Sequence, residues 1–345
     1  MVFSPLSFMG TRRVINRGSK GDNMQDVTVV VPNYNGIEFV ENCLDSLHKQ
    51  NKANFTVILV DNGSTDGSLE LVQNDYPEVE VIALPENTGF CGAVNAGIQK
   101  SQTNYVILLN NDTEVEADFV SELEKAIESH PQAFSCAAKM LQFDNRNLID
   151  DAGNFYNAFG WAYARGKGKA ETSYNKERKI FSSCAGAAIY RRDILNKIGL
   201  FDEEHFAYLE DTDIGYRAQI AGYENWFVPT ARVYHMGSAT SGSTYNQFKI
   251  RYSSRNNIYM IAKNMPIVQL IFNLPLLILG FAVKIVFFVI KGFGREYLAG
   301  IKNGFSLARR AKKNGKKVPF KAQNLKNYFG VQVQLWFNIV RRFVS

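Results

Sequence analysis

The chain predicts an α/β protein with a Rossmann-like, mostly parallel sheet flanked by helices, and three observations lead there. Apolar runs rich in Val, Ile and Leu recur through the first third, each is followed by a segment of helical period, and each ends in Asn, Asp, Gly and Ser. Continuous β-branched runs suit strands covered on both faces. Strand–helix alternation at this pitch builds a doubly wound sheet.

The first strand is Val27–Val31, mostly valine and closed by Pro32. Ile37–His48 follows as a helix, with Phe39, Val40, Cys43, Leu44 and Leu47 at helical spacing. Phe55–Val60 is the second strand, Ser68–Asn74 a short helix, Val79–Leu84 the third strand, Cys91–Lys100 a helix and Tyr105–Leu109 the fourth strand. From Gln142 to Lys179 the pattern weakens, predicting an irregular region with a mobile loop near Gly166–Lys179. Order returns with Ser182–Tyr190. Helices at Arg192–Ile198 and Glu210–Ala221 follow, then short strands at Trp226–Val228 and Arg232–His235.

Ile267–Ile290 is almost entirely apolar and long enough to span a bilayer, but Pro275 and Lys284 suit an in-plane or re-entrant segment equally well. A buried core helix or a contact in a homo-oligomer is the third use of such a segment. From Lys291 onward, thirteen Lys or Arg face one acid, so this tail carries +12 and the preceding 290 residues −6 of the net +6. Basic clusters beside a lipophilic segment bind anionic membrane surfaces. The basic part lacks interleaved aromatic residues, so lipid is expected there and not nucleic acid. Residues 1–25 have their basic residues after the short apolar stretch, unlike a signal peptide, and read as an extension. The expected division is therefore 1–25, a catalytic domain at 26–262 and membrane-associating helices at 263–345, placed at the cytoplasmic face of the cell membrane. Four scattered cysteines without a CxxC pair fit a reducing compartment and argue against zinc.

Ligands of such sheets bind at the carboxyl ends of the strands. The polar clusters there are Asn33–Gly36, Asp61–Ser64, Asn87–Gly89 and Asn110–Asp112. Asp61 can accept from a nucleobase, whereas Asp66 suits a helix cap. Asn110, Asn111 and Asp112 deliver oxygens for a divalent cation against a diphosphate. Glu210, Asp211 and Asp213 crowd a helix start, more acid than dipole compensation needs, and one could be a general base. His235 closes a strand and is a structural or a ligating histidine. No Ser-His-Asp or Cys-His order suggests covalent catalysis, and Asn87–Gly92 lacks dinucleotide glycine spacing.

In order, the blocks Val30–Gly36, Val60–Ser68, Asn87–Gly97, Leu108–Thr113 and Gly199–Arg217 resemble family 2 glycosyltransferases with the GT-A fold, across about residues 26–260. Their flavour resembles bacterial rhamnosyltransferases of surface-polysaccharide synthesis. The resemblance implies an inverting transfer from a nucleotide-sugar donor, dTDP-rhamnose best of all, to a glycan or lipid-linked acceptor. UDP-galactofuranose or a UDP-hexose is the alternative donor. Asp61, Pro32, Asn33 and Asn35 would line the base pocket, and Asn87, Gly89 and Asn95 would support nucleotide or sugar. Asp112 and His235 would hold Mg²⁺ or Mn²⁺, with Asn110 standing where the motif usually has an acid. Asp211 would be the catalytic base, with Glu210 and Asp213 orienting acceptor or base. A degenerate, non-catalytic sugar-nucleotide-binding partner is the rival reading, supported by Asn110 alone.

Overall fold

A computed structural model describes residues 26–52, 54–237 and 245–344. The expected extension at 1–25 lies outside the described residues. The elements run β1 (Val27–Asn33), α1 (Val40–His48), β2 (Phe55–Asp61), α2 (Ser68–Asp75), β3 (Glu80–Ala83), α3 (Gly89–Lys100), β4 (Tyr105–Leu109), β5 (Thr113–Val115) and α4 (Phe119–Ser129). They continue with β6 (Ala133–Gln142), β7 (Ile149–Asp151), β8 (Asn154–Tyr156), β9 (Ala162–Ala164), β10 (Arg178–Ile180), β11 (Ala187–Arg191), α5 (Arg192–Ile198), α6 (Glu210–Ile220) and β12 (Glu224–His235). Four helices close the chain: α7 (Gln247–Asn264), α8 (Ile267–Ile290), α9 (Gly294–Lys313) and α10 (Leu325–Val344).

One sheet organises the body, in the order β10-β12-β6-β11-β4-β1-β2-β3. From β3 to β4 it is parallel, as the apolar runs predict. The pairing of its other half was not read from the sequence: β11 enters antiparallel between β4 and β6, and β12 runs parallel to β6. The two short strands expected at 226–235 are one strand with an irregularity between Val228 and Arg232.

Alternation along β1 shows why such runs must be covered on both sides. Val27, Val29 and Val31 pack with α1 and α4, while Val30 packs with α3, α5 and α6. A third core joins Tyr156, Tyr216 and Ile220 to Met260 of α7, Leu277 of α8 and Leu335 of α10. The expected boundary at 262/263 therefore falls inside α7, and the closing helices pack back onto the body. Lys263 and Asn264, on the far side of that boundary, bond the buried Asp213.

The weakly patterned stretch 142–179 contains β7, β8, β9 and β10. Near its end, the loop expected to be mobile is fastened by Lys139, a fully buried lysine whose Nζ donates to Ser173 O at 2.9 Å, Asn175 Oδ1 at 2.8 Å and Glu171 O. A buried ammonium has to spend its donors this way, and periodicity carries no trace of it.

Candidate functional site

Strand ends deliver the expected residues to one rim. At the end of β1, Asn33 donates to Asp61 Oδ1 at 3.1 Å and to Ser68 Oγ at 2.8 Å, and its Oδ1 accepts from Asn111 Nδ2 at 2.7 Å. That side chain ties the ends of β1, β2 and β4 together. Pro32 lies opposite Val60 in the parallel ladder. Asn35 takes a left-handed conformation, φ 48°, with its Oδ1 accepting from Thr65 N at 2.9 Å. Asp61 is buried and also accepts from Ser64 N at 3.0 Å. Asp66 accepts from Ser68 N and Ile37 N, closing an Asx turn ahead of α2, whose N-cap is Gly67 and not Asp66.

Next to Asp61, Asn62 donates to Asn87 Oδ1 and Gly89 O, each at 3.1 Å, and Asn87 Oδ1 accepts from Gly89 N at 2.9 Å. Gly89 sits at φ +76°, and a Cβ there would lie 2.5 Å from the Phe206 ring, so only glycine lets these two loops meet. Asn95 is spent as a brace: its amide donates to Phe201 O and Glu203 Oε1, and its Oδ1 accepts from Phe201 N.

Asn110 and Asp112 bracket the loop after β4. Asn110 O accepts from Thr113 Oγ1 at 2.6 Å, and Asn110 N donates to Gly186 O at 2.9 Å. The Asp112 carboxylate is buried, its Oδ1 has no hydrogen-bond partner, and His235 Nε2 lies 3.5 Å from that oxygen. The other imidazole nitrogen, Nδ1, is 2.8 Å from Asp150 Oδ2. Burial pulls the His235 pKa down, but Asp112 and Asp150 outweigh it and push it up to about 9. For Asp150, burial acts upward, while His235 and Lys167 hold it at about 2. An orphaned carboxylate oxygen facing an imidazole nitrogen, with the ring fixed by a second carboxylate, fits one edge of a divalent-cation site. Among the described residues no three His, Cys, Asp or Glu converge into a closed cage. Such an open edge suits a cation whose remaining positions are filled by phosphate and water.

Opposite stands the acid cluster. Three non-glycine residues just before α6 take positive φ: Phe206 at 62°, Tyr208 at 70° and Leu209 at 65°. Each such residue costs of order 1–3 kcal/mol and persists only where its surroundings over-determine it. Asn256 of α7, fully buried, does this by aiming its amide at His205 O, Ala207 O and Tyr208 O, at 2.9, 2.8 and 2.7 Å. The loop sets Glu210 and Asp211 at the start of α6. Asp211 Oδ2 accepts from Asn154 Nδ2 at 2.7 Å, and Oδ1 from Thr212 N at 2.6 Å. Burial raises the pKa of Asp211, opposed by the Thr212 and Asn154 hydrogen bonds. Burial together with the Asp211 charge pushes Glu210 up to about 8, and its Oε2 has no partner. Asp151, raised to about 7 chiefly by burial, also feels both Asp150 and Asp211, so it sits between the histidine's carboxylate and the candidate base.

Asp213 corrects the expectation that all three acids face a substrate. It is fully buried and bonded by Arg217 Nε at 2.9 Å, Lys263 Nζ at 2.9 Å and Asn264 Nδ2 at 2.8 Å. Burial alone would raise its pKa, but Lys263 and Arg217 hold it far below the carboxylate range. It fixes α6 to α7 and does not open to the rim.

Asp150, Asn154 and Asn256 were missed, because their partners are brought up only by the tertiary fold. Asn154 heads a hairpin fastened at its other end to the closing helices. Asn338 of α10 donates to Tyr156 O at 2.8 Å, Tyr163 OH donates to Asn338 O at 2.8 Å, and Trp161 Nε1 donates to Gly280 O of α8 at 3.0 Å.

An oxygen-lined rim at the carboxyl ends of a GT-A sheet, together with the half-buried carboxylates that start α6, fits a glycosyltransferase. The profile described as Glycosyl transferase family 2 matches residues 28–199, and the chain belongs to that family. It is 27% identical over 245 residues to the N-acetylglucosaminyl-diphospho-decaprenol L-rhamnosyltransferase of Mycobacterium tuberculosis, covering 64% of this chain and 79% of that protein. In fold it is similar to GalNAc-T7 solved with UDP, GalNAc and Mn²⁺, with TM-score 0.57 and 17% identity over 70% of this chain and 48% of the other. A mannosyltransferase of Pyrobaculum calidifontis, solved with GDP-Man and Mn²⁺, gives TM-score 0.51 and 15% identity over 84% of this chain and 86% of that one.

Proposed function

We propose that the protein is a metal-dependent, inverting glycosyltransferase that moves rhamnose from dTDP-rhamnose to a lipid-linked glycan acceptor at the cytoplasmic face of the membrane. The observation carrying this reading is Asp211, a half-buried carboxylate at the rim with a raised pKa and one oxygen oriented by Asn154. A base so placed takes the proton of an acceptor hydroxyl, whose oxygen attacks the anomeric carbon from the face opposite the leaving diphosphate. Bond formation and departure then occur in one displacement, which inverts the centre. Asp61, Asn33 and Asn35, with Pro32 beside them, line the base pocket, and Asn87 and Gly89 support nucleotide or sugar. Asn95 acts through its brace on Phe201 and Glu203. Asn110 and Asn111 shape the loop that presents Asp112.

Asp112 and His235 would hold Mg²⁺ or Mn²⁺, which supplies charge neutralisation of the departing diphosphate. Both fold neighbours were solved with Mn²⁺, which supports that assignment. Rhamnose is favoured by the activity and lipid diphosphate in the mycobacterial relative's name. Glu210, protonated near neutral pH, leaves Asp211 as the ionised member of the pair.

Purified protein is offered dTDP-rhamnose, UDP-galactofuranose, UDP-galactose, UDP-glucose and GDP-mannose with Mg²⁺, Mn²⁺ or EDTA, and nucleotide release is read. Turnover of dTDP-rhamnose that EDTA abolishes is the expected result. Turnover of a UDP-sugar instead would reassign the donor. Binding of a nucleotide without turnover, even with a lipid-diphosphate acceptor present, would leave a binding protein.

A further inference from the structure

We infer that α8 and α10 seat this protein in one leaflet of an anionic phospholipid membrane, lying along its surface and not crossing it. The inference shares only the membrane location with the functional reading above and is independent of its chemistry.

The length and apolarity of α8 would allow a span. Its inward residues argue otherwise. Gln269, Asn273, Leu277 and Gly280 are buried and recur at helical spacing, so one stripe of α8 lies on the body. Two of those four are amides with fixed partners. Gln269 Oε1 accepts from Tyr216 OH at 2.6 Å, and Asn273 exchanges two bonds of 2.8 Å with Gln332 of α10. At the stripe's end, a Cβ on Gly280 would lie 2.1 Å from Phe159 O, so helix and hairpin touch backbone to backbone. Between Gln269 and Gly280 the helix is thus bound to the body over roughly 16 Å of its axis, at about 1.5 Å per residue. Turning it through a bilayer would pull Gln269, Asn273 and Gln332 away from these partners and into hydrocarbon, where unpaired polar groups cost several kcal/mol each.

Everything apolar that α8 does not spend on the body points away from it. Phe272 is 67% exposed and Ile290 77%, and Ile271, Leu279 and Val286 are exposed as well. On α10, Phe329, Phe337 and Phe343 are exposed as well, at 70, 62 and 74%. A surface this large and apolar on a protein rimmed by charge marks a membrane or protein contact. Charge selects the membrane: residues 291–345, which follow α8 directly and carry α9 and α10, hold +12 while the rest of the chain is acidic, and Lys302, Arg309, Lys312, Lys313 and Lys317 on or just after α9 are exposed. Apolar faces backed by Lys and Arg match the interfacial helix, which sinks only into the headgroup and upper acyl region.

Single tryptophans at Phe272, Leu279 and Val286, seven residues apart along the outer face of α8, test this in the full chain. Each Phe272→Trp, Leu279→Trp or Val286→Trp variant is mixed with phosphatidylcholine/phosphatidylglycerol vesicles carrying bromine at shallow or deep acyl positions. Emission is compared with that of the parent chain. Equal, shallow quenching at all three sites is expected, with vesicle binding falling roughly tenfold or more in pure phosphatidylcholine. Depths graded along the helix, with one tryptophan at the bilayer centre, would establish a span and overturn the inference. Absence of quenching with a dimer in sedimentation would overturn it too, making the face a contact between copies. Neither readout needs turnover, so failure here is distinct from failure of the donor assay.

Discussion

Asn154 Nδ2 lies 2.7 Å from Asp211 Oδ2, a contact between residues 57 positions apart that holds one oxygen of the candidate base in place. The opposite oxygen is held by Thr212. The carboxylate is therefore oriented before any acceptor arrives, and a substitution on either side of the 2.7 Å contact has its own signature.

Asp211→Asn keeps the shape and removes the proton acceptor. Transfer should fall by about 10²–10⁴, the usual contribution of a positioned general base. Nucleotide affinity by calorimetry should stay within twofold. Unchanged turnover would remove Asp211 from its role.

Asn154→Ala leaves the base present but free to rotate. A loss of roughly 10–100-fold in kcat is expected, in line with the sensitivity of such steps to small misplacements. The donor KM should hold. An equal rise in donor KM would instead indicate collapse of the hairpin.

The pH profile follows from the raised carboxyls. Activity needs ionised Asp211, so kcat/KM should fall as pH drops through a pKa above the ordinary aspartate range. Because Glu210 is already protonated where Asp211 titrates, Glu210→Gln should leave that limb in place. Stability carries the opposite sign: Glu210 has its folded pKa raised from 4.5 to about 8, so its protonated form stabilises at low pH and the contribution is lost as pH rises through that window. The Tm of the Gln variant should therefore exceed the parent's at alkaline pH, with the gap closing toward acid. A gap independent of pH would contradict the assignment.

Asp150→Asn tests the cation site without touching either proposed ligand. Loss of the partner that orients His235 should weaken Mn²⁺-dependent nucleotide binding about 10–100-fold. Affinity measured in EDTA should not change. Asp112→Ala and His235→Ala should each remove the Mn²⁺ response altogether.

Asn256→Ala releases the strained loop. Three carbonyls lose their shared donor, and Phe206, Tyr208 and Leu209 can relax toward negative φ. A fall in kcat with little change in nucleotide affinity is expected, together with destabilisation of about 1–3 kcal/mol by denaturant titration. Full activity would mean that the loop holds its form unaided.

The first four strands were legible because each is a run of apolar residues covered on both faces, a pattern few other structures produce. β6 was missed although it is ten residues long. Its sequence, Ala133–Gln142, mixes small residues with Ser135 and Lys139, whose burial depends on partners far along the chain. Asp61, Asp112, Asp211 and His235 stood at element ends and could be singled out. The fate of Asp213 could not be seen locally. Two residues apart on a helix, Asp211 and Asp213 point about 200° apart around its axis, so one meets the rim and the other the body. Whether the inward one is free or paired was decided by Lys263 and Asn264, fifty positions away.

The hairpin of β8 and β9 is tied at one end to Asp211, the candidate base, and at the other to the two helices with the bare apolar faces. Coupling between binding events is reciprocal. If a lipid surface that holds α8 and α10 tightens the grip on an acceptor beside Asp211, the acceptor must tighten the grip on the surface by the same factor. Residence on the membrane would then lengthen while work is waiting and shorten when the acceptor is exhausted, with no additional switch needed to recruit or release the protein.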